Sequence, residues 1–287
     1  MTPDTVSSPR KRGSLWAALL LALLLQGCSV SRVAYNNADV VLRWQAGYYF
    51  DVEGEQSDQF DRGLAAVLAW HRVDALPQYA RLANEMAARL QRGIKRPDLE
   101  WSYDALREQI RQTLVAAAGE SAGLLDRLSP EQIEHFEGRL AEQNRKFAKE
   151  EVQGTVEQLH KRRMKRNLER LEEWFGSLDD AQEERVRQYG ARAPLTGALR
   201  ERDRKRRQAE FVAMLRARDA RRRLAPLLER WDSDREPAYA KAMHATRDEY
   251  MKLLLDLDRT LSTEQRAHAV ARLRRFGELF DSLARAQ

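Results

Sequence analysis

Apolar residues recur every three or four positions along most of this chain, which is the spacing of amphipathic α-helices. Two clear stripes comprise Phe60, Leu64, Val67, Leu68 and Trp70, and then Leu82, Met86 and Leu90. No segment shows sustained alternation of β-branched and polar residues. The pattern therefore predicts an all-α fold.

Three helix starts share one short motif, in which a capping residue is followed three positions later by glutamine. The copies are Leu128-Ser129-Pro130-Glu131-Gln132, Leu178-Asp179-Asp180-Ala181-Gln182 and Leu261-Ser262-Thr263-Glu264-Gln265. Ser or Asp at the N-cap with Gln at the third helical position forms a capping box. Val52 to Gln56 is a degenerate fourth copy. The motif predicts where these helices begin.

The apolar stripe that follows Ser129 continues to about Gly176, which predicts one long helix near residues 129–175. At 1.5 Å per residue, such a helix reaches roughly 65–70 Å. Gly138 and Gly154 weaken it, so a kink near either glycine is expected. A helix of this length indicates an elongated multi-helix bundle or a curved helical array.

The N-terminus follows the order of an export signal. Arg10 to Arg12 are basic, Leu15 to Leu25 form an apolar run of eleven residues, and Gln26-Gly27 precede Cys28. A membrane-spanning helix needs about 20 apolar residues, so this run is too short. Cys28 is the only cysteine, which makes it a modification site, a free thiol or an intermolecular bridge. Its position favours lipidation; the alternative is an ordinary signal peptide with an incidental cysteine.

Lipidation at Cys28 defines an expected organisation of the chain. It comprises a signal peptide at 1–27, a lipidated tether at 28–34, an N-terminal helical part at 35–124 and a C-terminal long-helix part at 125–287, the last two as one continuous domain. Ser29 stands where an aspartate would resemble an inner-membrane retention signal. We therefore expect the protein at the outer membrane, facing the periplasm and held by several acyl chains such as palmitate.

The formal charge of +6 is uneven, because residues 161–223 hold 20 Lys and Arg against 11 Asp and Glu. A basic block of this kind in a cytosolic protein indicates nucleic acid. An exported protein does not meet nucleic acid, so the possible partners of the block are anionic lipid, lipopolysaccharide or an acidic envelope protein. The alternative is a solvated helix face with internal ion pairs.

Aromatic and polar residues are dense in the N-terminal third. Seven of them are the candidate binding surface if a groove exists: Tyr35, Asn36, Asp39, Trp44, Trp70, His71 and Arg72. The alternative is a buried, hydrogen-bonded helix junction. His71 has no second histidine or cysteine at ligand spacing, so we expect no metal and no cofactor.

The lipobox and the motifs after it resemble an uncharacterised proteobacterial family of outer-membrane lipoprotein precursors. The residues that carry the likeness are Gly27-Cys28-Ser29, Tyr35 to Asp39, Trp44, Tyr49-Phe50-Asp51, Gln56, Trp70-His71-Arg72 and Leu76-Pro77-Gln78-Tyr79. This resemblance implies a lipoprotein and supplies no activity.

The capped helix starts are also similar to the Leu-Thr-x-x-Gln repeats of small periplasmic chaperones of the Spy and CpxP type. That resemblance covers about five residues at each of three places, and it implies an all-α, basic, concave helical cradle.

Together these patterns predict a lipid-anchored, periplasm-facing binding, scaffold or chaperone-like protein that is not an enzyme. The alternative is an envelope hydrolase or transferase, whose catalytic carboxylates would lie among the 44 acidic residues. The sequence has no Gly-x-Ser-x-Gly, His-Glu-x-x-His or phosphate-loop motif. A lipase-type foldase, also anchored and helical, lacks its characteristic signature here.

Overall fold

A computed structural model of the chain describes residues 28–286, with side chains from residue 32 onwards. Those residues form helices without any strand, which confirms the all-α prediction. The helices are α1 (Cys28–Asn36), α2 (Ala38–Phe50), α3 (Glu55–Trp70), α4 (Leu76–Gln91), α5 (Arg96–Leu125), α6 (Pro130–Glu151), α7 (Val156–Phe175), α8 (Asp180–Arg192), α9 (Gly197–Arg216), α10 (Ala220–Glu229), α11 (Pro237–Asp258) and α12 (Thr263–Arg285). A π-helical turn, His71–Ala75, joins α3 to α4.

The chain divides into two compact units, Met1–Ala38 and Asp39–Gln287. Helix α1 belongs to the first unit and covers the segment that we predicted as a tether. The predicted signal peptide and the side chain of Cys28 lie outside the described residues. Among the described helices, none is long and apolar enough to cross a membrane.

The prediction of one long helix over 129–175 is wrong, because the chain breaks between α6 and α7. Gly154 has a φ of +115°, a conformation that glycine adopts without the steric cost of a Cβ. Thr155 then caps a new helix: its hydroxyl accepts from the Gln158 N–H, and the Gln158 side chain accepts from the Thr155 N–H. A capping box at Thr155 therefore separates two helices of ordinary length.

Three clusters of buried apolar residues hold the second unit together. The largest joins the end of α5 to α6, α9 and α10 through Ile133, Phe136, Val212 and Leu215. A second cluster joins α7, α8 and α11, and a third joins α4 to α12. Helices α6 and α9 therefore share one core on the side where they face α5 and α10.

The predicted capping boxes at Ser129, Asp179 and Ser262 are confirmed, and their glutamines also join separate helix starts. At the start of α6, the Gln132 side-chain amide donates to Gln56 Oε1 at 2.6 Å and to the Asp51 carbonyl at 2.9 Å. Gln56 donates in return to Gln132 Oε1 at 3.1 Å. The glutamine of the degenerate copy is therefore the partner that fixes the start of α6.

The starts of α8 and α12 are joined in the same way. Gln182 and Gln265 donate to each other's Oε1 atoms, both at 2.9 Å. Each amide also donates to a backbone carbonyl, Thr260 for Gln182 and Ser177 for Gln265. Gln182 is fully buried, so these bonds satisfy polar atoms that water does not reach.

Before both α6 and α12, an aspartate at the C-terminal end of the preceding helix binds the start of another helix. Asp126 accepts from the backbone N–H groups of Ala220 and Arg221 at the start of α10. Asp258 accepts from the Ile94 N–H at 3.2 Å, just before α5 begins. In both turns a Leu-Asp-Arg sequence precedes the capping motif, so each turn also anchors another helix start.

Candidate binding groove

An open groove of about 1030 Å³ runs between α6 and α9, on the surface of the second unit. Its floor consists of small and medium-sized apolar side chains that are one or two turns apart on the two helices. They are Leu140, Ala141, Ala148, Ala209, Val212 and Ala213. Alanines at these positions leave room that leucine or phenylalanine would fill. The groove therefore follows directly from residue size along two neighbouring helices.

A close helix crossing forms one end of the groove. A Cβ added to Gly197, the first residue of α9, would overlap the carbonyl oxygen of Glu151, the last residue of α6. Glycine at this position lets the two backbones meet. At the other end, Arg216 of α9 donates to Glu137 of α6 at 2.6 Å. These two contacts show that α6 and α9 run antiparallel along the groove.

Two amide side chains cross the middle of the floor. The Asn144 amide of α6 donates to Gln208 Oε1 of α9 at 2.7 Å, and Asn144 Oδ1 accepts from Arg204 Nε at 2.7 Å. Arg204 also lies over the Phe147 ring, and burial lowers its pKa. Within the part of the chain that the structure describes, the Gln208 Nε2 group has no hydrogen-bond partner, so it offers a donor to a ligand.

The rim of the groove is positively charged. Glu137 is paired with Arg216, and Glu201 with Lys205 at 2.8 Å, which balances four of the six rim charges. The two that remain are Arg145 and Lys149, which lie one turn apart on α6 and are exposed. Neither has an ion-pair partner among residues 32–286. The groove thus offers two unpaired cations beside an apolar floor.

Four of the seven residues predicted as a binding surface lie on the first two helices. Tyr35 and Asn36 are on α1, in the first unit, where Asn36 is exposed and Tyr35 is half-buried. Asp39 is in the first turn of α2. Trp44 is 46% exposed and stacks on Tyr48 at 5.3 Å between ring centroids. Trp44 therefore presents a ring to solvent.

The other three predicted residues, Trp70, His71 and Arg72, lie at the junction of α3 with the π-helical turn and are half-buried. The His71 ring lies 5.5 Å from the Tyr79 ring, whose hydroxyl is 2.9 Å from Thr113 Oγ1. Burial lowers the pKa of His71, which favours a neutral imidazole. This set is a packed helix junction, and its role in binding stays a prediction.

Two of the other histidines lie within hydrogen-bonding distance of groups in the fold. His135 Nε2 lies 3.0 Å from the Tyr48 carbonyl, and His160 Nδ1 lies 3.1 Å from Arg163 Nη2. In the described residues, no group of three or more His, Cys, Asp or Glu side chains is arranged to hold a metal ion.

More than half of the cations in the 161–223 block form ion pairs, most of them with acids on a neighbouring turn or another helix. They are Lys165, Arg166, Arg187, Arg192, Arg202, Lys205, Arg206, Arg207, Arg216, Arg222 and Arg223. These residues fit the alternative stated for the block, which is a solvated helix face with ion pairs inside the fold.

Sequence reasoning did not find the groove. Its residues come from two stretches that are about 60 positions apart, and four of its six floor residues are alanines, which resemble ordinary helix formers in a sequence. One signal was available: Arg145 and Lys149 lie on the same face as Ala141 and Ala148, so that face combines small side chains with cations.

The chain matches a family of unknown function (DUF6279) over residues 48–240, more than half of its length, and it belongs to that family. The match includes Trp70 to Arg72 and both helices of the groove, and it begins after Cys28 and the Tyr35 to Asp39 motif. No curated protein and no solved structure matches the chain.

Proposed function

Taking this family membership as the premise, we propose that the protein is a lipid-anchored binding protein of the bacterial envelope. It faces the periplasm and holds a segment of another polypeptide in the groove between α6 and α9, in a scaffold or chaperone-like role. The observation that carries this proposal is the combination of an open apolar floor, a free amide donor at Gln208 and two unpaired cations.

The location rests on Cys28. The cysteine stands directly after a basic segment and an apolar run of eleven residues, and it is the only cysteine of the chain. Lipidation there explains both its position and its isolation. Several acyl chains on one residue hold a protein firmly on a bilayer.

The groove favours binding over catalysis. Its two carboxylates, Glu137 and Glu201, lie towards opposite ends, and each is engaged by a cation of α9. A hydrolase that uses two carboxylates needs both of them at the reacting bond. The arrangement offers hydrogen-bond donors and positive charge along its length, which suits recognition of an extended partner.

Photo-crosslinking in intact cells tests the site. A photoreactive amino acid replaces the exposed Ala141 in the groove, and a matched variant carries it at the exposed Ala66 of α3. We expect discrete protein adducts from position 141 that are missing from position 66. Equal adducts from both positions, or none from position 141, contradict the proposal.

Metabolic labelling with palmitate tests the anchor. We expect the full chain to incorporate label and to sediment with outer membranes, and Cys28→Ser to lose both properties. Label that persists in Cys28→Ser excludes lipidation at this residue.

A further inference from the structure

We infer that the segment bound in the α6–α9 groove is an amphipathic helix of a protein partner that carries acidic residues one turn apart. This inference rests on the proposed function and specifies its ligand. It follows from the length of the groove, the kind of surface on its floor and the position of its unpaired charges.

The length of the groove suits a helix of about four turns. Its lining extends from Glu137 on α6 to Gln153, just after that helix ends, and from Glu201 to Arg216 on α9. At 1.5 Å per residue, the α9 stretch spans about 23 Å. A partner helix of about 16 residues covers the same distance.

The floor is shaped to receive side chains from a third helix. Ala141 and Ala148 are seven residues apart on α6, and Ala209 and Ala213 are four apart on α9, so small residues recur at the spacings of helix packing. Two antiparallel helices with small facing residues leave the position that a third helix occupies in a bundle. An apolar helix face would bury the alanine row and insert its larger side chains between the alanines.

The amide pair in the middle of the floor argues against an acyl chain as the occupant. Asn144 and Gln208 place polar atoms where an alkyl chain would need continuous apolar contact. An alkyl chain would also bury the free Gln208 Nε2 donor without a partner, which is unfavourable. A peptide helix can place a polar side chain opposite this pair and satisfy it.

The unpaired charges determine which sign of charge the partner helix must carry. Lys205 and Arg216 are engaged by glutamates of their surroundings, whereas Arg145 and Lys149 are not, and both point to the α6 edge of the groove. Their spacing of four residues matches carboxylates three or four positions apart on a facing helix. Ion pairs across such an edge set specificity and association rate.

Two peptides of about 16 residues test this inference. Both have one face of Leu and Ala; the first carries Glu, and the second Lys, at positions one turn apart on the flank. Binding to the full chain in phosphatidylcholine nanodiscs is measured by fluorescence anisotropy. We expect the Glu peptide to bind at least about tenfold more tightly than the Lys peptide, and its affinity to fall as salt rises.

Charge reversal at the groove provides the decisive variant. Arg145→Glu with Lys149→Glu should weaken the Glu peptide about tenfold or more and reverse the preference towards the Lys peptide. The matched control is Arg81→Glu with Lys161→Glu, which makes the same change in net charge at exposed positions on α4 and α7, outside the groove lining. The control should leave both affinities within about twofold, since exposed charges away from the groove are screened.

Three outcomes overturn the inference: equal affinity for the two peptides, an equal loss in the control variant, or displacement of the Glu peptide by oleate in stoichiometric amount. The last outcome assigns the groove to an acyl chain. If no peptide binds while position 141 still gives protein adducts in cells, the acidic-helix inference fails and the proposed function stands. If neither is observed, both fail.

Discussion

The reciprocal glutamine pair between α8 and α12 gives the sharpest test of how this fold is held together. Gln182→Met keeps the volume of the side chain and removes its amide. The native amide takes part in four hydrogen bonds: it accepts from the Asp179 N–H and the Gln265 amide, and it donates to Gln265 and the Thr260 carbonyl. All four are lost in the variant.

The expected cost follows from those four bonds and from complete burial. A typical internal hydrogen bond contributes about 1 kcal/mol net, and a buried partner that is left unsatisfied adds to the loss. Gln182 is fully buried, so water does not replace its bonds. We therefore expect Gln182→Met to lower the free energy of unfolding by roughly 3–4 kcal/mol.

Gln158 provides the matched control, because it has the same capping role without a reciprocal partner. Its side chain accepts from the Thr155 N–H at 3.0 Å, and the residue is exposed. Gln158→Met should therefore cost only about 0.5–1 kcal/mol, the value of one helix cap.

The assay is urea unfolding of the full chain in detergent, followed by far-UV circular dichroism. A double-mutant cycle between Gln182 and Gln265 should give a coupling of about 2 kcal/mol, because two bonds join these residues directly. The same cycle between Gln158 and Gln265 should give none. Equal costs at Gln182 and Gln158, or a vanishing first coupling, would refute the claim that the paired amides join the helix starts.

Three further predictions concern the groove, the helix junction and the anchor. Gly197→Ala should lower the unfolding midpoint in urea, because its Cβ would overlap the Glu151 carbonyl. Gly138→Ala, in the open interior of α6, should instead raise the free energy of unfolding by about 0.5–1 kcal/mol. A Gly197→Ala variant more stable than Gly138→Ala would contradict the close crossing of α6 and α9. Burial lowers the pKa of His71, so the free energy of unfolding should fall as pH drops below the ordinary histidine pKa of 6.5. In urea titrations at several pH values, His71→Phe should flatten this pH dependence. An unchanged pH dependence in the variant would show that another group titrates. Cys28→Ser should release the protein from sedimented membranes while its far-UV spectrum stays unchanged, and a spectrum that lost helix would mean that the anchor region supports the fold.

Local chemistry explains which parts of the fold were predictable. Capping boxes at Ser129, Asp179 and Ser262 are sequence-local, because the residues that satisfy each helix end lie three positions apart. The break at Gly154 is equally local, since Thr155 and Gln158 form a capping box of the same kind. The apolar stripe continues across this break, so a stripe alone does not show where a helix ends.

Pairings between distant residues explain what was not predictable. The glutamine of the degenerate copy, Gln56, meets Gln132 across 76 positions, and Gln182 meets Gln265 across 83. Only the arrangement of the helices determines that these amides face each other. The groove has the same origin: Ala141 and Ala209 form one floor because α6 and α9 share the core behind them.

The charge of the chain shows why unpaired residues are better indicators of a partner than composition. The 161–223 block has the largest excess of basic residues, yet its cations such as Arg192, Arg202 and Arg207 are engaged by acids within the fold. Arg145 and Lys149 lie outside that block, on α6, and keep their charge available beside an apolar surface. A partner gains from neutralising a cation only where the fold has not already done so. Arg145 and Lys149, rather than the paired cations of the block, are therefore the charges that the proposed acidic partner would meet in the groove between α6 and α9.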